Sequence, residues 1–525
     1  MDNKTVEKAT PQPTDDSSKS DLTLPVVSHQ SVPLRRTIQL AYWAVVLACV
    51  PVWWYMTSIE RLSLPESRIL AQQKAIEDIT AHVNIIIHSN ERTDTSSLSQ
   101  KVGALLDDYQ ASDPDSWRGT RVTVVPDKPR GIAHEADEYH VYLHATHSDR
   151  SHEVQGRNLN FFSTNENNDA IADELAALLQ ELVNPTATLG PDNRVIQYSP
   201  NLRLAFSLLN EDIHTSGQRG WAAETNINNV IKSTLDLLSP LHNFTIETQV
   251  QYYAPLAFEP PKKDRGFGSY YALGKDELKI FVNSAEWSLS SEINNDPVLH
   301  FLLFVPADHH RPLFIYDEST NAPLKSPAFI IPQWGGVVLF NPSFIQSPRN
   351  AAEIFSLFRT QLLTLLGVSQ LPSNVVIAPG PDGSKEPLSP WQIDALLRQR
   401  IRENTEGSIQ ALTSIIKLVN QLKNMPVGTD VKGEILQAIE QLEMMNTPET
   451  SPRSALELFT RSRHALAYSS KAFFNPGMVG QLYFPAEHKY AIYMLFAPAS
   501  MGLIISFVRE VKPFIKRRRD QKKVE

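Results

Sequence analysis

Hydrophobic positions along this chain follow two regimes. One long uncharged stretch lies towards each end, and between them short apolar runs alternate with helically spaced ones. Between Arg36 and Glu60 there are 23 residues without a charge, TIQLAYWAVVLACVPVWWYMTSI. As a helix this segment is about 34 Å long, enough to cross a bilayer. Tyr42, Trp43, Trp53, Trp54 and Tyr55 sit towards its ends, as interfacial aromatics do. A cleaved signal peptide would have a shorter apolar core and a small-residue cleavage site, so residues 37–59 read as an uncleaved anchor. The second stretch, 490–508, holds 19 uncharged residues including Pro498 and Gly502. It reads as a second transmembrane helix of about 28 Å, against the alternative of a buried helix in a soluble core.

Lysine and arginine near the spans set the expected orientation. The first span is balanced, with Lys19, Arg35 and Arg36 before it and Arg61, Arg68 and Lys74 after it. The second has Lys471 and Lys489 before it and eight basic residues after it, including the run 516–519. Both termini are therefore expected in the cytosol, with 60–489 in the lumen. Residues 1–36 are polar and aperiodic, which predicts a disordered tail. The sequon Asn243-Phe244-Thr245 falls in the lumenal region, so Asn243 is a candidate N-glycosylation site. Lys522 and Lys523, third and fourth from the end, look like a dilysine signal for retrieval to the endoplasmic reticulum. The plain alternative is a solvated basic tail over 509–525.

Within 60–489 the period keeps changing. Runs at 82–87, 122–125, 139–145, 202–209, 244–253 and 298–305 predict strands. Helical spacing covers 98–109, 171–183 (ended by Asn184-Pro185) and 224–238 (ended by Ser239-Pro240). Trp334 to Phe340 reads as a further strand. Ser347 with Pro348 marks a helix start, and Gly367 its end. Residues 370–390 are rich in Pro, Gly and Ser and read as a linker. After it Ile409, Leu412, Ile415, Ile416, Val419 and Leu422 recur at helical spacing, and two more helices are predicted over 430–446 and 453–474. The fold class is thus a mixed, layered α/β lumenal domain over 60–370, then a linker and helical segment over 371–489, flanked by the two spans.

Composition changes this picture in two places. The chain has 525 residues and a net charge of −9, which resolves into 0 for 1–36, −14 for 60–489 and +5 for 509–525. An acidic ectodomain argues against a nucleic-acid partner, which needs a basic face. The one cysteine, Cys49, lies in the first span. The lumenal region therefore has no cysteine nucleophile, no CxxC metal or redox site, and no disulfide to link it to a partner.

Candidate chemistry is sparse. There is no G-x-S-x-G, P-loop, H-E-x-x-H or G-x-G-x-x-G. On a strand His140 and His144 would share one face while His147 points to the other, so the three do not converge as metal ligands. Asp308-His309-His310 follows an apolar strand, where active-site loops often sit in α/β folds, but no carboxylate partner can be assigned to it from sequence. Asp113-Pro114-Asp115 resembles the DxD motif of lumenal glycosyltransferases, and is equally ordinary turn chemistry. No catalytic, cofactor-binding or metal residue is assigned, and no cofactor is expected.

Several longer strings carry a resemblance. They are Pro51-Val-Trp53-Trp54 with Arg61 and Leu64-Pro65, Ser239 to Thr245, and Gln333-Trp334-Gly335-Gly336. Near the end come Ala472-Phe473-Phe474-Asn475-Pro476, Leu482-Tyr483-Phe484-Pro485 and Lys489 to Tyr493. In this order, from 51 to 493, the chain resembles the PIG-S family, the S subunit of GPI transamidase. The resemblance implies an accessory, non-catalytic subunit in the endoplasmic reticulum membrane. That complex exchanges a proprotein's C-terminal signal for a GPI lipid. Partners implied are the other subunits, including a caspase-like cysteine protease, together with membrane lipids, and proprotein or GPI lipid as further candidates. Two other classes are weighed against it: a tethered lumenal glycosyltransferase using Asp113 and Asp115, and a cargo receptor cycling on Lys522-Lys523.

Overall fold

The computed structural model describes residues 32–57, then 61–479 apart from breaks (chiefly 127–137, 186–195, 282–295, 342–347 and 447–453), and scattered positions from 494 to 519. Contacts divide the chain into two units, the terminal segments 1–60 with 480–525, and the body 61–479.

In the terminal unit, α1 (Val32–Thr57) runs 26 residues with Pro51 inside it. It meets the chain's other end: Gln39 Nε2 donates to Ser506 Oγ at 2.5 Å, and the Trp43 and Phe507 rings lie 5.8 Å apart. Residues 504–509 are helical. The start of the first uncharged stretch thus packs on the end of the second, as two antiparallel segments would. Around these contacts the apolar side chains face outward. Leu40 is 70% exposed, Leu47 67%, Met494 74% and Ile505 62%. Among the described residues no helix is long and apolar enough to cross a membrane. Val46, Val50 and the side chains of 53–57 fall outside that description.

The body opens with α2 (Glu66–Ala75) and then a six-stranded sheet. Its strands are β1 (Ala81–Ser89), β2 (Thr120–Pro126), β3 (Glu138–Ala145), β4 (His152–Gln155), β5 (Asn158–Ser163) and, from far along the chain, β15 (Val375–Ile377). They lie in the order β15-β4-β5-β3-β1-β2. All neighbours are parallel except the β4–β5 hairpin, turned at Gly156. Helices α3 (Thr95–Ser112) and α4 (Asn168–Val183) cover it; Leu98, Val102, Leu106, Leu175 and Leu179 meet Val83, Ile85 and Ile87 of β1. Asp94 and Asn167 cap the two helices by accepting from backbone N–H groups.

The second sheet is built from β6 (Asn201–Asn210), β7 (Asn243–Gln251), β10 (Val298–Val305), β13 (Ala328–Ile331) and β14 (Gly335–Leu339), ordered β13-β14-β10-β6-β7. Its central strands are parallel, and β6 is buried at every residue after the first. One face carries Leu204, Phe206, Leu208 and Phe301 against α5 (223–238, with a π-helical stretch at Ile227–Ile231) and α6 (Pro348–Leu366). The other carries Leu209, Leu302, Phe304 and Val337 against a small sheet of β8 (Lys262–Arg265), β9 (Gly268–Leu273), β11 (Leu313–Asp317) and β12 (Ala322–Pro323). The Gln333-Trp334-Gly335-Gly336 string is the turn into β14. A Cβ on Gly335, at φ +154°, would lie 1.9 Å from the His300 carbonyl oxygen, so the close β10–β14 approach requires glycine.

Three helices complete the body: α7 (Pro390–Gln421), α8 (Thr429–Asn446) and α9 (Ala455–Phe473). A full capping box of Ser389 and Gln392 starts α7. At 32 residues it is about 48 Å long and threads three cores in turn. Trp391 enters the first sheet's core; Leu396, Leu397 and Ile401 enter the second; Ile409, Leu412, Ile415 and Ile416 join α8, α9 and Ile69 of α2 in a helical core. Arg400, 1% exposed, lies along it and closes the C-terminal end of α6 by donating to Leu366 O at 2.7 Å. The same helical core receives the body's entry (Leu62, Leu64) and its exit (Phe473, Met478).

The predicted strands and helices of the body lie where the pattern put them. Within the segment read as a linker the structure has β15, paired with β4 and held through His152 N donating to Asn374 O at 2.7 Å. Three residues are too few to show a period. Strands β4, β5 and β13 also add to the expected set, whereas β8, β9, β11 and β12 fall within residues 255–325, whose many turn signals predict short strands.

Candidate functional site

In the second sheet the chain passes from β6 outward to β7, then returns to the opposite side of β6 to form β10. The strand order reverses between β6 and β10, and such a switch point opens a crevice at the strands' carboxyl ends. Glu211 follows β6 directly, with its N–H donating to Val305 O at 3.0 Å. The turn Asp308–His310 follows β10. Topology therefore brings together a carboxylate and a histidine pair that stand 99 residues apart in sequence.

The geometry is specific. Glu211 Oε2 accepts from Ala307 N at 2.8 Å, and Oε1 lies 2.6 Å from His310 Nδ1. Both side chains are 5% exposed. The second ring nitrogen, His310 Nε2, is buried and makes no hydrogen bond, although Glu259 Oε1 approaches to 3.1 Å from the loop after β7. The exposed His309 ring lies 4.0 Å from that of His310, centroid to centroid, and the Tyr271 ring stands edge-on at 5.3 Å. One ligand atom each from Glu211, His309 and His310 lies within 4.8 Å of the other two. Arg311 borders the cluster, donating to Asp308 Oδ1 at 2.5 Å and to Pro306 O at 2.9 Å. Burial lowers its pKa from the ordinary guanidinium value, against the raising pull of Asp308 and Glu211.

The other residues singled out in sequence do not converge. His140 Nδ1 lies 3.1 Å from His88 Nε2 on β1, whereas His144 lies 3.2 Å from Asn160 Oδ1 and stacks on Phe162 of β5. His147 is exposed in the turn after β3. Asp113 caps the short helix Pro114–Trp117 by accepting from Ser116 N, and Asp115 pairs with Arg118 at 3.1 Å. This is turn chemistry, and the two carboxylates are committed locally. Asn243 is the exposed first residue of the edge strand β7, its N–H donating to Pro200 O at 2.8 Å. Lys522 and Lys523 lie outside the described residues. Glu211 and Glu259 carried no local signal, since what makes them notable is contact across the fold.

Two more features were not read from sequence. A polar cleft of about 530 Å³ opens beside β5 and α4, lined by Arg150, His152, Ser163, Glu174 and Asn374. Two of its charged groups are engaged: Arg150 with Glu153 at 2.6 Å and Glu174 with Asn165 at 2.6 Å. Deeper, Asp394 of α7 accepts from Tyr139 Oη at 2.6 Å and Arg157 Nε at 2.9 Å, while Arg398 donates to Tyr139 Oη at 3.3 Å and Val183 O at 3.0 Å. Burial raises the Tyr139 pKa above that of an ordinary phenol. This network ties β3, the β4–β5 turn and α4 to the long helix.

Comparison with known proteins bears on the whole chain. A family model described as phosphatidylinositol-glycan biosynthesis class S protein matches residues 40–517. The Homo sapiens protein named GPI-anchor transamidase component PIGS is 31% identical over 366 residues, covering 67% of this chain and 64% of the human protein. The Schizosaccharomyces pombe protein named GPI transamidase component PIG-S homolog is 27% identical over 502 residues, covering 93% of this chain and 85% of its own length. The Saccharomyces cerevisiae protein named GPI transamidase component GPI17 is 24% identical over 528 residues, at 91% and 92% coverage. With the family model spanning the terminal helix, both large sheets and the helical core, the chain belongs to the PIG-S family.

Proposed function

We propose that this chain is a non-catalytic structural subunit of the endoplasmic reticulum GPI transamidase, which attaches GPI anchors to proprotein C-termini. The observation that carries this reading is the family match over 40–517, together with relatives named as components of that complex. In this reading the cysteine protease that cuts the proprotein belongs to another subunit.

The architecture gives the role a physical basis. A subunit that holds others in register needs stiffness and surface more than a reactive centre. Here one 32-residue helix passes through all three cores, and the buried Asp394 network fixes it to the first sheet. Residues 37–59 and 490–508 act as two spans, with both termini cytosolic and the body lumenal. The Gln39–Ser506 and Trp43–Phe507 contacts support antiparallel packing of the two, and the outward apolar side chains suit lipid. Entry and exit of the body through one helical core fit a pair of adjacent spans. Asn243, exposed at a sheet edge, is the glycosylation site, and Lys522-Lys523 supports retrieval to the endoplasmic reticulum.

Affinity capture of the full chain from mild detergent tests the role. It should recover a stable membrane complex containing a cysteine protease. Depletion should leave proproteins unprocessed and free GPI accumulated. A chain that purifies alone, with GPI attachment unchanged after its loss, would sink the proposal.

A further inference from the structure

We propose that the crevice at the carboxyl ends of β6 and β10 binds a divalent transition metal of the zinc class. Its ligands are His310 Nε2, His309 and Glu259, and Glu211 acts as the group that orients His310. This goes beyond the subunit role and does not depend on it.

The argument starts from Glu211. Both of its oxygens are occupied, one by the Ala307 N–H and one by His310 Nδ1. A carboxylate accepting from Nδ1 places the proton of a neutral imidazole there and leaves the Nε2 lone pair outward, the arrangement that second-shell carboxylates impose on metal-bound histidines. His310 is 4% exposed, and its Nε2 is buried with no hydrogen-bond partner. An unmet ring nitrogen in that position costs stability unless something fills it. The nearest polar atom is a carboxylate oxygen, Glu259 Oε1 at 3.1 Å. With the proton on Nδ1, neither Nε2 nor the carboxylate oxygen can donate, and a cation between them would satisfy both. Ligand atoms about 2.0–2.1 Å from a tetrahedral zinc stand about 3.4 Å apart, so the observed spacing already suits one.

His309, one of whose ring nitrogens lies within 4.8 Å of a His310 nitrogen and a Glu211 oxygen, would supply the second nitrogen, and its exposure leaves room for a solvent ligand. Two imidazoles and a carboxylate with an open position suit zinc better than calcium or magnesium. Local charge agrees. Glu211, Glu259 and Asp308 cluster beside Arg311, which donates to Asp308 Oδ1 and Pro306 O. The competing arrangement is an imidazolium clamped between Glu211 and Glu259 without any metal.

The test uses the full chain in detergent, without a polyhistidine tag, stripped with chelator and titrated with zinc chloride against a chromophoric competitor. The wild type should take up one zinc per chain and gain thermal stability on doing so. The double variant H309A/E259Q changes two exposed side chains and should fold normally. It should bind at least about tenfold more weakly and lose the thermal gain. H310Q, which changes a buried group, is checked by circular dichroism before titration. Cobalt substitution should give tetrahedral visible bands in the wild type and none in the double variant. No stoichiometric uptake by the wild type, or equal uptake by H309A/E259Q, would overturn the proposal in favour of the metal-free ion cluster.

Discussion

The body and the terminal helices spend the same apolar side chains in opposite ways. In 61–479 most of the large ones are sequestered, Phe474 at the end of the body being an exception: Phe206, Phe301, Phe355 and Phe358 are all fully buried, and Phe206 lies 5.0 Å from Phe301 and 5.8 Å from Phe358. In α1 and around 494–508 Leu40, Leu47, Met494 and Ile505 face outward although the segments touch through Gln39 and Ser506. Water drives the first arrangement and penalises the second. In the proposed reading the two units meet two solvents, and the terminal segments touch through both a polar pair, Gln39 with Ser506, and an aromatic one, Trp43 with Phe507.

The sharpest way to break this contrast is to truncate on each side. Phe206→Ala should destabilise the body by about 3–5 kcal/mol. Leu47→Ala, in the exposed set, should leave its thermal unfolding unchanged. Parallel scans of the two variants in detergent check both; equal shifts would mean that the outward side chains are packed. Next in size is the polar seam inside the body. Asp394→Asn keeps the shape but leaves Arg157 and Arg398 around a neutral group, and should cost about 2–3 kcal/mol. Proteolysis should then begin at the junction of α7 with the first sheet. A variant as resistant as the wild type would show that the long helix is held by apolar contact alone.

How much of this was legible in sequence differs between the same regions. Strand β6 was readable because a strand buried on both faces must be a continuous apolar run, as 202–209 is. α4 was readable because its period ends at Asn184-Pro185. β15 was not, because three residues carry no period and its pairing is with distant chain, and β4 with four residues is nearly as short. The candidate site was half legible. Asp308-His309-His310 stood out as a strand-end loop, whereas Glu211 and Glu259 become partners only once β10 returns beside β6. Local patterns encode elements; the reversal of strand order that makes the crevice is a property of the assembled sheet.

The body should also respond to acid. His242, 1% exposed and with Nδ1 2.6 Å from Ser199 O, is held at a pKa of about 4 by burial. His300 is likewise held at about 4, by burial and then by the Arg203 charge. The unfolded chain takes up these protons near pH 6.5 and the folded chain only near 4. Stability is therefore complete above about pH 6.5 and falls as pH drops towards 4. Between pH 7 and 5 each histidine should remove about 2 kcal/mol. H242Q should abolish roughly half of that slope in urea titrations, and an unchanged slope would remove His242 from the account.

The smallest effect tests the polar pair itself. Gln39→Ala removes the hydrogen bond to Ser506, which in a bilayer should weaken helix pairing by about 1 kcal/mol, a severalfold change. Cysteines at Trp43 and Phe507, in a Cys49→Ser background, report the pairing by crosslinking in membranes, since those rings lie 5.8 Å apart. The crosslink should form in the parent and drop severalfold with Gln39→Ala. Leu47→Ala should leave it unchanged, because an outward apolar side chain contributes nothing to helix pairing when lipid replaces it at no cost. If Leu47→Ala weakens the crosslink as much as Gln39→Ala, the terminal helices associate by apolar burial as the body does, and the contrast between the two units disappears.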